Sequence, residues 1–389
     1  MTTRRDFLKH ISRAVLVAGA APFALSGPLP FQKGPPVDIA GEEGMIVRSY
    51  RFLDLETPVE YLNVWLTPVE HFFVRNHMHE PSVLDAEAWR LDINGEVDKS
   101  LTLTLHDLWK LEQHSVVNTL ECPGNGRGLF RPQVPGIQWM KGAVSTARFS
   151  GPRLRDVLGR AGVKATGKHV MFSGLGEVPG EAPPFIRSIP IEKAMDSDTL
   201  IATQMNGRPL TKHHGFPARA LVPGWIGAAS TKWLTEITVL ESESEGYFMC
   251  PAYCFPNQKV KPGDSVAPED MHVLTALQVK SVISSPADGA VVKPGLIQIS
   301  GAAWAGEADI SKVEVSTDGG ATWNLARLGS ERARYAWRLW KHDWQARRGD
   351  YAVLARATDS RGRTQPRSPV WNPGGYFYNA PDQVKIHVS

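Results

Sequence analysis

Cysteine is scarce in this sequence. Three occur in 389 residues: Cys122, Cys250 and Cys254. Three cysteines cannot build a disulfide framework. No Cys-x-x-Cys-His run occurs, so no c-type haem is attached covalently, and there is no four-cysteine cluster for an iron–sulfur centre. Excess charge is also missing. Forty-three basic side chains against 40 acidic ones leave a formal net charge of +3, too little for a nucleic-acid footprint, so no nucleic acid is expected as a partner. Long apolar runs are absent as well. The stretch from Ala14 to Leu25 is short, only moderately apolar and interrupted by Gly19 and Pro22, which excludes a good membrane span. No internal repeat is visible. What remains is a chain with 42% hydrophobic residues, enough for two sizeable cores.

The first residues read as an address. Thr2-Thr3-Arg4-Arg5-Asp6-Phe7-Leu8-Lys9, followed by the weak apolar run, has the order of a twin-arginine leader, placed at residues 1–27. Residues 28–45 are rich in Pro and Gly and read as a linker. The twin-arginine export machinery carries folded proteins. The leader therefore predicts a periplasmic location and a cofactor inserted before export.

Residues 46–270 interleave strands and short helices irregularly, which favours α+β over a doubly wound sheet. Leu154, Val157, Leu158 and Ala161 keep helical spacing, with Pro152 expected in the first turn and Gly162 as the stop. Thr104 is expected to cap a second short helix bearing Leu105, Leu108 and Leu111, Ser115–Leu120 reads as a strand, and Asn206-Gly207 as a hairpin turn. Residues 272–389 change texture. Short β-type runs recur at Val279–Ile283, Leu296–Ser300, Lys312–Ser316, Ala333–Trp340 and Tyr351–Thr358, with a turn at Asp318-Gly319-Gly320. This spacing predicts an all-β immunoglobulin-like sandwich.

The chemistry gathers around Cys122, in Thr119-Leu120-Glu121-Cys122-Pro123-Gly124-Asn125-Gly126-Arg127-Gly128. A thiolate is a soft metal ligand, and a nearby cation favours it. Three other segments pair cations with small residues: Phe72-Phe73-Val74-Arg75-Asn76-His77, Lys212-His213-His214-Gly215-Phe216-Pro217-Ala218-Arg219, and Gly224-Trp225-Ile226-Gly227-Ala228-Ala229-Ser230-Thr231-Lys232. Arginine forks and Gly-rich backbone N–H groups suit a bulky anionic ligand. Taken singly, each segment fits a duller role, and Cys122 alone fits a buried core thiol. A thiol hydrolase and a non-catalytic binding protein are the readings from other classes.

In order and spacing these segments resemble the sulfite oxidase family of molybdenum enzymes, from about Val59 onward. The most specific pieces are Phe73-Val74-Arg75-Asn76-His77, Glu121-Cys122-Pro123-Gly124-Asn125-Gly126-Arg127, His214-Gly215-Phe216-Pro217-Ala218-Arg219, and Ser230-Thr231-Lys232-Trp233-Leu234. The later segment around Val313-Glu314-Val315-Ser316-Thr317-Asp318-Gly319-Gly320 is similar to the family's dimerisation domain, which implies a homodimer. The resemblance implies a molybdenum–molybdopterin cofactor with Cys122 as the protein's metal ligand and no haem in this chain. It implies that Phe73, Val74, Arg75, Asn76, His77, His214, Arg219, Ser230, Thr231 and Lys232 hold the pterin and its phosphate. Arg75, Arg127, Trp139 and Tyr253 then match positions of the substrate pocket, with Tyr247 the second choice for the tyrosine.

The implied activity is oxidation of sulfite or a related sulfur oxyanion. No cytochrome b5-like segment precedes the core, so a periplasmic c-type cytochrome is the expected acceptor. The chain departs from the family in two places. Gly374, in Trp371-Asn372-Pro373-Gly374-Gly375, stands where vertebrate-type relatives carry an arginine, and the acidic pterin position near Gly176-Glu177 is not clearly matched. The first departure leaves open a different sulfur substrate, in either direction of electron flow. Cys250 and Cys254 flank the Tyr253 segment and are expected either bridged or free.

Overall fold

The computed structural model describes residues 44–389. The leader at 1–27 and nearly all of the linker at 28–45 lie outside the described residues. The first part of the chain is α+β, with few and short helices. Its larger sheet has the order Leu101–Thr104, Arg90–Gly95, Leu234–Leu240, His169–Gly174, Arg187–Pro190. Arg90–Gly95 and Leu234–Leu240 run parallel and the other neighbours antiparallel.

Two helices share a core with this sheet. In Leu105–Lys110, Thr104 and Asp107 form a reciprocal capping box, which satisfies two backbone donors that a helix start leaves open. The helix Leu154–Ala161 turns Leu154, Val157, Leu158 and Ala161 inward, as its spacing predicts, and stops at Gly162 with φ 72°. Pro152 is not in that helix's first turn. It is the last residue of the strand Val144–Pro152, and Arg153 occupies the cap. A second, four-stranded sheet contains the long pair Gln113–Glu121 and Val144–Pro152, which delivers the chain to Cys122. Asn206 and Gly207 form its two-residue hairpin turn, both with positive φ.

From Lys280 onward two sheets face one another across an apolar core. One has the order Lys280–Ser285, Gly295–Trp304, Arg338–Ala346, Arg327–Leu328. The other has Ala290–Val292, Asp382–Val388, Gly349–Asp359, Ile310–Ser316, Asn324–Leu325. The run Ala333–Trp340 is not a strand as expected; the strand is Arg338–Ala346. The reason is tertiary. Tyr335 O accepts from Thr119 N (2.9 Å) and Trp337 N donates to Thr119 Oγ1 (2.8 Å), so this backbone bonds to the first part of the chain.

A buried polar contact between the two parts centres on Glu121. Its carboxylate accepts from Lys280 Nζ (3.1 Å), Trp304 Nε1 (2.8 Å) and Asn125 Nδ2 (2.9 Å), and Lys280 also donates to Asn125 O (2.9 Å). Both charged side chains are buried. A buried pair broken on one side leaves a desolvated, uncompensated charge. Lys280→Met is therefore expected to lower stability by about 3–5 kcal/mol, and Lys280→Met with Glu121→Gln by distinctly less. Denaturant unfolding of the three proteins measures this; equal losses in single and double variants would contradict it.

Candidate functional site

A cavity of about 160 Å³ opens between the Arg75 segment, the Cys122 loop, and the segments 213–219 and 227–233. Cys122 lies directly after the strand Gln113–Glu121, and its N–H donates to Ala143 O (3.0 Å). The following loop is buried throughout residues 122–128, although its composition reads as permissive and exposed. Gly126 has φ 98°, and a Cβ there would meet Tyr378, so the tight turn requires glycine. Burial pushes the Cys122 thiol up, and Arg75 and Arg127 oppose this without overcoming it. In the metal-free chain the thiol is thus the favoured form, against the expectation from the neighbouring cations alone.

At this end of the cavity stand Arg75, His77 and Tyr253. Asp54, itself 1% exposed, accepts from Arg75 Nη1 (3.1 Å) and Asn76 N (3.1 Å) and so fixes the segment. Burial works against the Arg75 charge, but Asp54, Tyr253 and Cys122 together more than offset it and hold the guanidinium protonated. Tyr253 Oη and His77 Nε2 are 2.5 Å apart. Burial raises the phenol, and burial followed by Arg75 lowers the imidazole well below its usual range, so both are neutral at pH 7 and one proton lies between them. Cys250 and Cys254 form a disulfide, Cα atoms 5.5 Å apart, around the Tyr253 segment. Tyr247 is 39% exposed and does not line the cavity.

The other end is cationic. His214 Nε2 donates to Val69 O (3.3 Å), and burial keeps the imidazole neutral. Arg219 donates to His214 O (3.1 Å) and Ser230 O (2.9 Å), both carbonyls, and its Nε has no partner. Lys232 donates to Asn76 Oδ1 and to His213 O (2.8 Å). Thr231 Oγ1 is buried without a partner. Among the described residues no carboxylate pairs with Arg219 or Lys232. Burial pushes Arg219 down to about 10, and burial followed by Arg219 pushes Lys232 down to about 7. Two desolvated cations, an orphaned guanidinium nitrogen and an orphaned hydroxyl fit a phosphate-bearing group.

Phe73, Asn76, His77, His214, Arg219, Ser230, Thr231 and Lys232 all line the cavity with Cys122. Val74 does not; it pairs with Leu55 and points into a small core. Trp139 lies in the buried cluster behind the wall with Phe72, Phe73 and Cys122, its indole N–H unpartnered. Arg127 stands outside the lining. Its Nε and Nη2 donate to Gly374 O (3.1 and 2.9 Å), Nη1 donates to Ile137 O (3.2 Å), and its guanidinium lies 5.2 Å from the Tyr376 ring centre. Tyr376 stacks on Tyr253 (5.6 Å). A Cβ on Gly374 would come within 2.2 Å of the Tyr376 ring. Glu177 is a rim residue: it pairs with His79 through backbone and accepts from Ser82 N (2.6 Å). Sequence reasoning missed Asp54, Glu80 and Arg187. They sit in strings without a motif, and Glu80 acts by accepting from Asn76 and contacting His213 (2.8 Å).

This fold and cavity define a molybdopterin-binding oxidoreductase domain followed by a dimerisation domain. Residues 77–248 match the oxidoreductase molybdopterin binding domain, and residues 271–389 match the Mo-co oxidoreductase dimerisation domain. The chain is 38% identical over 360 residues to mitochondrial sulfite oxidase of Rattus norvegicus, covering 88% of this chain and 65% of that protein. It is 31% identical to sulfite oxidase of Arabidopsis thaliana, covering 94% and 98%. It thus spans just under two thirds of the rat protein's length. Its fold matches the crystal structure of the sulfane dehydrogenase SoxCD from Paracoccus pantotrophus, with a TM-score of 0.76 and 27% identity over 96% of this chain and 98% of that one. The chain belongs to the sulfite oxidase family of molybdopterin oxidoreductases.

The Lys232 shift has a measurable sign. With a folded value near 7 and an ordinary value near 10.5, the unfolded state binds more protons in that window. The ligand-free protein therefore bears the full burial penalty below pH 7 and gains stability as pH rises through the window. A divalent anion at this end relieves the penalty only while Lys232 is charged. Sulfate is expected to raise the melting temperature more at about pH 6 than at about pH 8.5, and Lys232→Met should remove the difference. Equal shifts in wild type and variant would contradict the reading.

Proposed function

We propose that the protein oxidises sulfite to sulfate and passes electrons to an external c-type cytochrome. The observation that carries this is a free thiol, Cys122, at one end of a buried cavity whose other end holds cations without counter-charges. The phosphate end, through Arg219, Ser230, Thr231 and Lys232, would hold the molybdopterin phosphate, and Cys122 would ligate the metal. When bound, the molybdenum supplies the two-electron redox chemistry that no side chain of this protein offers. The protein's own contribution is electrostatic. Arg75, held by Asp54, offers a fixed guanidinium edge to a doubly charged oxyanion, and each charge-assisted hydrogen bond contributes about 1.5–3 kcal/mol. Oxidation of sulfite with water releases two protons along with the two electrons. The Tyr253–His77 pair faces the same end and can hold or pass a proton there.

A second reading, another sulfur compound on the same centre, draws on one observation. Arg127, the other arginine implied for the pocket, is engaged by the Gly374 and Ile137 carbonyls, and Gly374 itself brings no charge. Fewer cations face the substrate end than the resemblance implies. Sulfite-dependent reduction of cytochrome c and of ferricyanide by molybdenum-loaded protein tests the first reading against thiosulfate as the alternative substrate. Cys122→Ser is expected to abolish turnover. Arg75→Met should raise the KM for sulfite by about 10- to 100-fold. Full activity in protein without molybdenum would overturn both readings.

We also propose a periplasmic location with export by the twin-arginine route, and a homodimer formed through residues 271–389, for which the dimerisation-domain match is the support. Replacing Arg4 and Arg5 by lysine is expected to keep the cofactor-loaded protein in the cytoplasm; unchanged periplasmic fractionation would refute the route.

A further inference from the structure

Arg187, one of the three residues that sequence reasoning missed, has unusual surroundings. It is fully buried, at the start of the strand Arg187–Pro190, opposite Phe172. Its Nη1 donates to Phe248 O and its Nη2 to Leu274 O (3.1 Å), while Nε has no partner. Among the described residues no carboxylate pairs with it, and burial brings it down to about 10. Its guanidinium carbon lies 5.5 Å from the centre of the Tyr253 ring.

Both carbonyls that Arg187 grips belong to the support of Tyr253. Leu274 N donates to Tyr253 O (2.8 Å), so the Leu274 grip fixes the residue that holds the tyrosine's backbone. Phe248 packs edge-on to His77 (5.0 Å) and against Phe185 (4.9 Å), and His77 stacks on Phe185 (4.7 Å). The Phe248 grip thus fixes the wall against which the imidazole rests. Tyr253 itself has φ +58°, a left-handed backbone that a tyrosine adopts only when its surroundings over-determine it. A lysine would reach one carbonyl; a planar fork reaches both.

We propose that Arg187 is a positioning residue: it sets the Tyr253 phenol against His77 and so governs turnover rather than substrate affinity. The proposal rests on the sulfite-oxidising reading for its kinetic part. Its structural part stands alone.

The test uses molybdenum-loaded full-length protein with Arg187→Met, Arg187→Lys, Tyr253→Phe and the double variant Arg187→Met/Tyr253→Phe. Arg187→Met is expected to lower kcat by about 10- to 100-fold, the scale of a misplaced reacting group. KM for sulfite should stay within about threefold. The double variant should be no slower than Tyr253→Phe alone, because one residue acts through the other. Arg187→Lys should recover part of the rate. Additive losses, or a raised KM with kcat unchanged, would overturn the proposal. Hydrogen exchange keeps the structural part testable if sulfite is not the substrate. The amides of Met249, Cys250 and Ala252, which bond to Gly246 O and Tyr247 O, should exchange faster in Arg187→Met while distant strands do not. Unchanged exchange there would sink the clamp. No sulfite turnover in wild type, with faster exchange in the variant, would fault the function and spare the clamp.

Discussion

The Glu121 carboxylate is the point on which the site depends. It is one residue from Cys122, the proposed metal ligand, yet two of its donors, Lys280 and Trp304, come from the β-sandwich. The third, Asn125, lies in the Cys122 loop and also offers its own carbonyl to Lys280. The loop is therefore shaped by charge and hydrogen bonds that span both parts of the chain. Its small residues let the buried backbone pass close to Arg127, Tyr378 and Met140. A metal ligand must be held to within fractions of an ångström, and a fully satisfied polar network does so more tightly than apolar packing.

Charge is unevenly settled elsewhere in the cavity. Near Cys122, Arg75 has a dedicated partner in Asp54 and keeps its charge at any working pH. At the opposite end Arg219 and Lys232 have only carbonyl and amide partners. The contrast divides the labour physically. A paired arginine orients a ligand that comes and goes without leaving a bare charge behind. Unpaired cations favour an anion that stays, because its departure restores the desolvation penalty. On the function proposed above, substrate and resident cofactor are distinguished by how the protein neutralises its own cations.

Much of this was legible in the sequence, for reasons of locality. Cys122, Arg75, His77, His214, Arg219 and Lys232 sit in short strings where cations and small residues alternate, and the cavity gathers all six. The helix at Leu154–Ala161 and the capping box at Thr104 are also local signals. What could not be read was pairing across distance. Asp54 and Arg187 belong to no local motif, and their meaning lies in Arg75 and in the Phe248 and Leu274 carbonyls. Ala333–Trp340 looks like a strand of the sandwich because its composition is right, yet Thr119, far away in sequence, claims its backbone. Arg127 reads as a pocket arginine by its neighbours, whereas Gly374 engages it from the far end of the chain.

Gly374 and Tyr376 carry a consequence for how such sites diversify. The tyrosine ring fills the space that a side chain at position 374 would enter, and that ring is anchored by Tyr253 N and by stacking. Neither position is free to change alone. An arginine at 374 demands a smaller residue at 376, and a smaller residue at 376 leaves Tyr253 unsupported on one face. The two positions therefore form one steric unit, in which the charge that position 374 can carry is set by the ring that position 376 uses to brace Tyr253.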